Sequence, residues 1–453
     1  MIDIKRIEEV EQWLIKERID DIEIMIADCA GISRGKAMPR SRFIEGMKSN
    51  SLKLPESIFG ITVSGGFVEN EYLKDTEQDM TLLPQLETIC LAPWQKDPTA
   101  CVICHCVYED GRPVPFAPRQ VLQNVLDLYT AKGWKPVVAP EYEFYLIDRQ
   151  EEVTAAPTPP KGKSGIRDAG NNTYSIDGVD EFDAFFDEVY EYCEAQNIQI
   201  DTLIHEAGPA QFEVNVNHGD PMHVADQSFY FKRLLRQVGL RHGLFVTFMA
   251  RPYPDSYGSA MHLHQSVVDI KTGKNIFANE DGSDSELFLN HIGGLQKYIP
   301  KMMPFFAPFV NSYMRLGAQL SSPTNLNWAR DNRTVGLRVP AGGNNARRIE
   351  NRVAGSDANP YLAIAASLAA GYIGMIEEVE ASKPYEGSAY DSETRTLPQH
   401  SLAGIENMEK CKALRTTFDK GFLETFAQIK YLEYESYTNY LSPWETKFLL
   451  LTV

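Results

Sequence analysis

Hydrophobic and polar positions along the chain follow two periods, and their order predicts an α+β protein. The opening MIDIKRIEEVEQWLIKERI spaces apolar residues among charges as an amphipathic helix does. IEIMIADCAG reads as a strand turning at Ala30 and Gly31, and TICLAPW and ACVICHCVYEDGRPV read as further strands, the last with a turn at Asp110 and Gly111. GRPVPFAP then sets three prolines close together, which neither a helix nor a central strand can continue. The expected division is therefore a small mixed unit over 1–112 and a larger one over 113–453. In the larger unit RQVLQNVLDLYTAKG has helical period and VVAPEYEFYLID strand period. Residues 151–172, containing TPPKGKSG, read as a long loop of the kind that covers functional sites. Helices are expected around 181–195 and 222–242, flanking a strand with Glu206 and Glu213. The uncharged stretch 360–376 is rich in Ala, Gly and Ser with two Tyr, which predicts a buried helix rather than a membrane span.

The strand period also sorts the chemistry. Residues i and i+2 share a face, so Glu141, Glu143 and Tyr145 oppose Tyr142, Phe144 and Leu146, and Gln211, Glu213 and Asn215 oppose Phe212, Val214 and Val216. The same alternation recurs at His262-x-His264, and Glu350 follows on a further short segment. A single E-x-E strand is most often a solvated face, and a lone histidine is more often structural. Carboxylates converging in this number, however, repel one another unless cations lie between them. Five glutamates (Glu141, Glu143, Glu206, Glu213, Glu350) and His262 make an oxygen-dominated donor set, which favours Mg2+ or Mn2+ over zinc.

Charge and composition narrow the partners. The chain has 453 residues, 43% of them apolar, and a net charge of −18, which argues against nucleic acid or an anionic membrane and is compatible with a cationic substrate. Seven cysteines, an odd number, without a secretory signal suggest reduced thiols and a cytoplasmic protein. CVICHC alternates as a strand and has no second cysteine pair at finger-like spacing, so a structural metal there is disfavoured.

From Met302 to Ser382 there are seven arginines (Arg315, Arg330, Arg333, Arg338, Arg347, Arg348, Arg352) and no lysine. Excluding Lys while concentrating Arg suits bidentate binding of carboxylate and phosphate; a subunit interface laced with ion pairs is the alternative. Arg348, Glu350 and Arg352 alternate, so one carboxylate and two guanidiniums can face one site. No phosphate-binding glycine loop of the P-loop or Rossmann kind is present, so metal and arginine must hold any phosphate. Such a site suits a polyphosphate and an acidic substrate.

APEYEFYL, EAGPAQFEV, GSAMHLHQS, NSYMR, NRTVGLRVP, RRIENR and SDANPYLA resemble, in order, the signatures of the glutamine synthetase superfamily, most closely its γ-glutamylpolyamine (γ-glutamylputrescine) synthetase branch. The resemblance implies a small N-terminal β-grasp domain and a large catalytic domain whose antiparallel sheet lines a funnel. It further implies homo-oligomeric stacked rings, a dodecamer, with each site completed by a neighbour's N-terminal domain. By motif, one metal is held by Glu143, Glu206 and Glu213 and the other by Glu141, His262 and Glu350. Arg333, Arg338 and Arg348 orient the γ-phosphate of ATP, with His264 and Ser266 towards the nucleotide. Arg315 and Arg352 grip the carboxylates of glutamate, and Gly258 lies at its amino-acid end.

Departures from the motif bear on the acceptor. Glutamine synthetases carry a Glu six residues after the Arg of NSYxR, where it serves ammonium; here that position is Ser321. Their second ammonium ligand, an Asp, aligns through FGITVSGGF with Gly60, to within a residue or two. Both changes remove negative charge and add room, as an organic amine requires. Tyr257 and Ala260 also replace Asn and Gly of the family pattern. The acidic run Glu69, Glu71, Asp75, Glu77 and Asp79 reads as solvated loop ahead of a guide for a second amino group. The expectation is an ATP-dependent ligase joining glutamate to putrescine or a polyamine through γ-glutamyl phosphate. The alternatives are a glutamine synthetase using ammonium and a non-catalytic relative.

Overall fold

Two sheets organise the chain. A computed structural model describes residues 3–152, 154–317, 321–392 and 395–453. The first sheet contains β1 (Asp21–Ala27), β2 (Ser33–Pro39), β3 (Lys53–Pro55), β4 (Asp79–Pro84), β5 (Cys90–Leu91) and β6 (Thr99–Val107), in the order β2-β1-β6-β4-β3, with β5 also on β6. β1 and β6 run parallel and the other pairs antiparallel. Two amphipathic helices, Ile4–Lys16 and Arg40–Ser49, bury Ile7, Val10, Leu14 and Phe43, Ile44, Met47. Asp3 starts the first helix by accepting from the Lys5 amide, and Asn50 ends the second in the left-handed conformation. TICLAPW contributes only the two residues of β5. The proline-rich stretch does not leave at once: Val114 N–H donates to the Cys106 carbonyl at 3.0 Å, and the chain then enters helix Pro118–Ala131 with Pro at its first turn.

The second sheet carries the candidate chemistry. It comprises β7 (Trp134–Asp148), β8 (Ile200–His205), β9 (Gln211–Val216), β10 (Leu244–Thr247), β11 (Met261–Asp269), β12 (Trp328–Arg330), β13 (Leu337–Val339) and β14 (Ile349–Asn351). The order is β12-β13-β14-β11-β7-β9-β8, with β10 also on β7. The sheet is antiparallel except at its edge, where β12 and β13 are parallel. One strand for Glu206 and Glu213 is replaced by two: Glu213 lies on β9, and Glu206 just past the end of β8. The turn GlyProAla between them, with Ala210 at positive φ, breaks the strand.

Helices cover the apolar side of this sheet. Tyr142 and Phe144 point away from Glu141 and Glu143, and Tyr142 packs on Phe231 of helix Pro221–Arg241 at 5.9 Å between ring centroids. The uncharged stretch forms helix Pro360–Ile376, buried along nearly its whole length. Asn359 caps it, accepting from the Tyr361 amide at 3.0 Å, and donates to the Asp28 carbonyl at 2.9 Å, joining the two sheets' surroundings. Among the described residues no helix is long and apolar enough to cross a membrane. All seven cysteines are free and buried.

Candidate active site

Sheet register brings the acids and histidines together. In the ladders Glu143 faces Glu213, Glu141 faces His262, and Glu350 faces both His264 and Arg338. Glu141 sits at the centre: its Oε2 lies 3.1 Å from His262 Nδ1 and its Oε1 2.9 Å from His264 Nε2. Two groups offer ligand atoms that all lie within 4.8 Å of one another, Glu141–Glu213–His262 and Glu141–His264–Glu350. Their members differ from the division that the motif resemblance implies, because Glu141 is shared and His264 takes part. Glu143 stands beside them, 4.0 Å from His262 Nε2 and accepting from the Ala260 amide at 2.8 Å. Glu206 belongs to neither group, although its charge reaches Glu143 and Glu213.

Electrostatics separates these carboxyls. Burial, then the neighbouring charges of Glu141, Glu143, Glu206 and Glu350, pushes Glu213 up to about 10. Burial and the charge of Glu206 push Glu143 up to about 8, and burial also raises Glu206. Glu141 goes the other way: burial opposes its charge, but hydrogen bonds and charge from His262 and His264 outweigh it and hold the carboxyl well below the usual range. Glu350 is 1% exposed, and although burial opposes ionisation, Arg352 and the histidines pull it down to about 2. Burial, then Arg352, lowers His262, favouring the neutral imidazole that binds metal. Buried carboxyls that ionise only against mutual repulsion, beside a neutral imidazole, are a donor set that divalent cations would satisfy.

The seven arginines divide into two sets. Arg338 and Arg352 hold Glu350 at 2.8 and 2.6 Å, and Arg348 Nε donates to His264 Nδ1 at 3.2 Å. Arg315 is buried, donates to the Val353 carbonyl, and burial lowers it to about 10. Exposed Arg333 is close enough for its charge to act on Glu206. Arg330 and Arg347 instead both pair with Asp284, outside the cluster, so two of the seven serve an ion-pair network. The Nε–H groups of Arg315, Arg338 and Arg352 are buried without a partner. Guanidiniums beside a carboxylate cluster supply positive charge suited to anionic groups arriving with substrate.

A cavity of about 630 Å3 opens beside the cluster, lined among others by Glu141, His264, Ser266 and Arg348. Gly258 and Arg315 are not among its lining residues, and Gly258 packs against Arg315: a Cβ there would fall 2.3 Å from Arg315 Cγ and 2.7 Å from the Ala250 carbonyl. Gly258→Ala is therefore expected to displace Arg315 and, if that guanidinium grips glutamate as the motif resemblance implies, to raise KM for glutamate about tenfold with a smaller change in kcat. Steady-state kinetics with glutamate varied would measure it, and an unchanged KM would contradict the placement.

The expected acceptor determinants, Ser321 and Gly60, are not among the groups that the sheet register brings together. Ser321 is exposed with φ +58°, and residues 318–320 of its RLGAQLSSP segment are outside the described residues. Gly60 is buried in the small unit, where a Cβ would meet Leu73 and the Val68 carbonyl. All five acids of the 69–79 run are exposed, in keeping with solvated loop. The pattern overlooked His205, next to Glu206 and 1% exposed, and its partner Asp168 at 2.9 Å.

Sheet, acid cluster and arginine wall together define a member of an enzyme family built around a metal-binding carboxylate site. Residues 115–449 match the family model for the glutamine synthetase catalytic domain, well over half of the chain. The chain belongs to the glutamine synthetase family. It is 32% identical over 435 residues to γ-glutamylputrescine synthetase PuuA of Escherichia coli (strain K12), spanning 95% of this chain and 91% of that one. It is 30% identical over 454 residues to glutamate–isopropylamine ligase of a Pseudomonas species, spanning 97% of each. A solved structure of GmaS, apo and without ligand, superposes with TM-score 0.83 at 26% identity over 99% of this chain and 100% of that one.

Proposed function

We propose that the protein is an ATP-dependent ligase that forms a γ-glutamyl amide from glutamate and a small organic amine. The observation that carries it is the acid–histidine cluster with Arg338 and Arg352 bonded to Glu350 and the charge of Arg315 acting on Glu143. Two relatives that span nearly the whole chain, a γ-glutamylputrescine synthetase and a glutamate–isopropylamine ligase, support an amine as acceptor.

The chemistry follows from what a carboxylate lacks. It resists attack by an amine, so ATP first transfers its γ-phosphoryl group to the side-chain carboxylate of glutamate, releasing ADP and leaving γ-glutamyl phosphate; the amine, its ammonium proton lost to solvent, then displaces phosphate and sheds a second proton to leave the amide. Arg315 and Arg352 hold the carboxylates of glutamate, with Gly258 at its amino-acid end. Arg333, Arg338 and Arg348 hold the transferring phosphoryl group, and His264 and Ser266 face the nucleotide in the 630 Å3 cavity. Glu143, Glu206 and Glu213 would hold one divalent ion and Glu141, His262 and Glu350 another, Mg2+ or Mn2+, which when bound neutralise charge on the phosphoryl oxygens. Ser321, where glutamine synthetases carry an acid, leaves room for the substituent of the amine, while Gly60 removes a charge without adding room, because Leu73 and the Val68 carbonyl fill its side-chain position. Gly60 packs within the small unit, so its part in an amine site calls for a second copy. We accordingly propose a β-grasp unit over 1–112, a catalytic unit over 113–453 whose sheet lines a funnel, and a cytoplasmic dodecamer of stacked rings.

Phosphate release with ATP, Mg2+ and glutamate, compared across ammonium, putrescine, spermidine, ethanolamine and isopropylamine, tests the reading. An organic amine, putrescine or spermidine foremost, is expected to exceed ammonium in kcat/KM. Ammonium exceeding every amine would make the protein a glutamine synthetase, and no metal-dependent turnover with any acceptor would make it a non-catalytic relative.

A further inference from the structure

The turn that carries Glu206 is held from both sides by groups that the reaction does not use. Its amide donates to the Gln211 carbonyl at 2.8 Å, and its own carbonyl lies 2.8 Å from Nδ1 of His205. That carbonyl can only accept, so Nδ1 carries the proton between them. The other ring nitrogen, Nε2, lies 2.9 Å from Asp168 Oδ2, which also only accepts, so both bonds form in the doubly protonated ring. Asp168 Oδ2 also accepts from the Ala210 amide at 2.7 Å, at the far end of the same turn. One carboxylate oxygen therefore grips the turn on both sides of Glu206, directly at Ala210 and through the imidazole at the Glu206 carbonyl.

Asp168 is itself fixed. Its Oδ1 accepts from the Gly170 amide and from Asn172 Nδ2, both at 2.9 Å. The loop around it is sewn to the same strand end: Asn171 N–H donates to the Ala207 carbonyl and Tyr174 N–H to the His205 carbonyl, each at 2.8 Å. The imidazole has no freedom to turn away. It stacks edge-on against Phe212 at 4.8 Å, and a Cβ on Gly178 would fall 2.8 Å from its Cδ2. A buried histidine locked between a carboxylate and the backbone of an acidic residue has the build of a group that orients a ligand without touching the ion.

We infer that Asp168 and His205 are positioning residues for Glu206, setting the direction of its carboxylate and tying the 161–175 loop to the site. The inference rests on the proposal that Glu206 is a metal ligand. It gives the loop a task at the site, because the segment that ends β8 and the segment that supplies Asp168 form one unit.

Mn2+ titration of the metal-free protein, followed by the electron paramagnetic resonance signal of free Mn2+, separates the possibilities. Wild-type protein is expected to bind Mn2+, and His205→Gln and Asp168→Ala to weaken one class of site about 10- to 100-fold while circular dichroism and assembly stay unchanged. Asp168→Asn keeps one acceptor oxygen, which serves either the loop contacts made by Oδ1 or the Ala210 amide and His205 contacted by Oδ2 but not both, and is expected to recover part of that loss. Affinities within about twofold of wild type in His205→Gln and Asp168→Asn, with only a lower Tm, would overturn the inference. If neither variant folds, the pair is a stability element and the inference fails. Wild-type protein that binds no Mn2+ would overturn the metal-ligand reading beneath it, a failure distinguishable because it appears before any substitution.

Discussion

Glu213→Gln is expected to lower turnover by about a thousandfold while leaving the fold and any assembly intact. The side chain lies directly opposite Glu143 on the neighbouring strand, and its burial, followed by the charges of four other carboxyls, raises its pKa to about 10. In metal-free protein it is therefore proton-bound and uncharged at neutral pH, so glutamine replaces a neutral carboxyl there and relieves repulsion only as the pH rises towards about 10. The sign of the pH effect follows. The folded state keeps a proton that the unfolded chain has lost, so this group's contribution to stability falls as pH rises from the ordinary carboxyl range towards about 10. Metal-free Glu213→Gln should thus lose less stability than wild type between pH 6 and pH 9, measured as Tm in EDTA. Its turnover, however, should stay about a thousandfold below wild type at every Mg2+ concentration. A near-normal rate would remove Glu213 from the ligand set, and an unchanged pH slope would show that the carboxyl is not crowded.

The two outcomes differ in how far the sequence announced them. Period-two alternation placed Glu141, Glu143 and Glu213 on the polar side of their strands, because a strand has only two faces and aromatic residues claimed the other. What alternation lacks is register. That Glu141 lies opposite His262 and Glu350 opposite His264 depends on pairing between segments far apart in the chain, and this pairing gathers Glu141, Glu213, His262, His264 and Glu350. Glu206 read as a strand residue because the turn after it is short. The arginine-rich stretch was legible as a class but not residue by residue. Arg330 and Arg347 are claimed by Asp284, an acid in a polar loop with nothing in its neighbours to mark it. His205 left a faint signal, an imidazole next to a candidate ligand. Its partner Asp168 lies 37 positions away in a loop, beyond the reach of any local period.

Glu350→Gln is expected to damage stability and catalysis together, and the combination distinguishes it from Glu213→Gln. Glu350 is almost fully buried, with Arg338 on one oxygen at 2.8 Å and Arg352 on the other at 2.6 Å. Replacing it leaves two guanidiniums facing a neutral amide, and breaking such a buried arrangement costs about 3 to 5 kcal/mol. Titration leads to a similar figure. Its carboxyl is pulled from 4.5 to about 2 on folding, chiefly against burial and by Arg352, which corresponds to about 3 kcal/mol. Because the folded value is the lower one, this stability is fully present above the unfolded value and is lost as pH falls from about 4.5 through about 2. The urea midpoint of metal-free Glu350→Gln should therefore lie well below that of wild type at pH 7, and the two should converge at about pH 2. Kinetically, Arg338 is proposed to face phosphate and Arg352 glutamate, so loss of their shared anchor should raise KM for both ATP and glutamate as well as lower kcat. Glu213 touches neither arginine, and its substitution should act mainly on kcat. A variant with wild-type stability at pH 7 would mean that the guanidiniums find other partners, and Glu350 would then be a ligand candidate alone, not the joint between the metal site and the arginine wall.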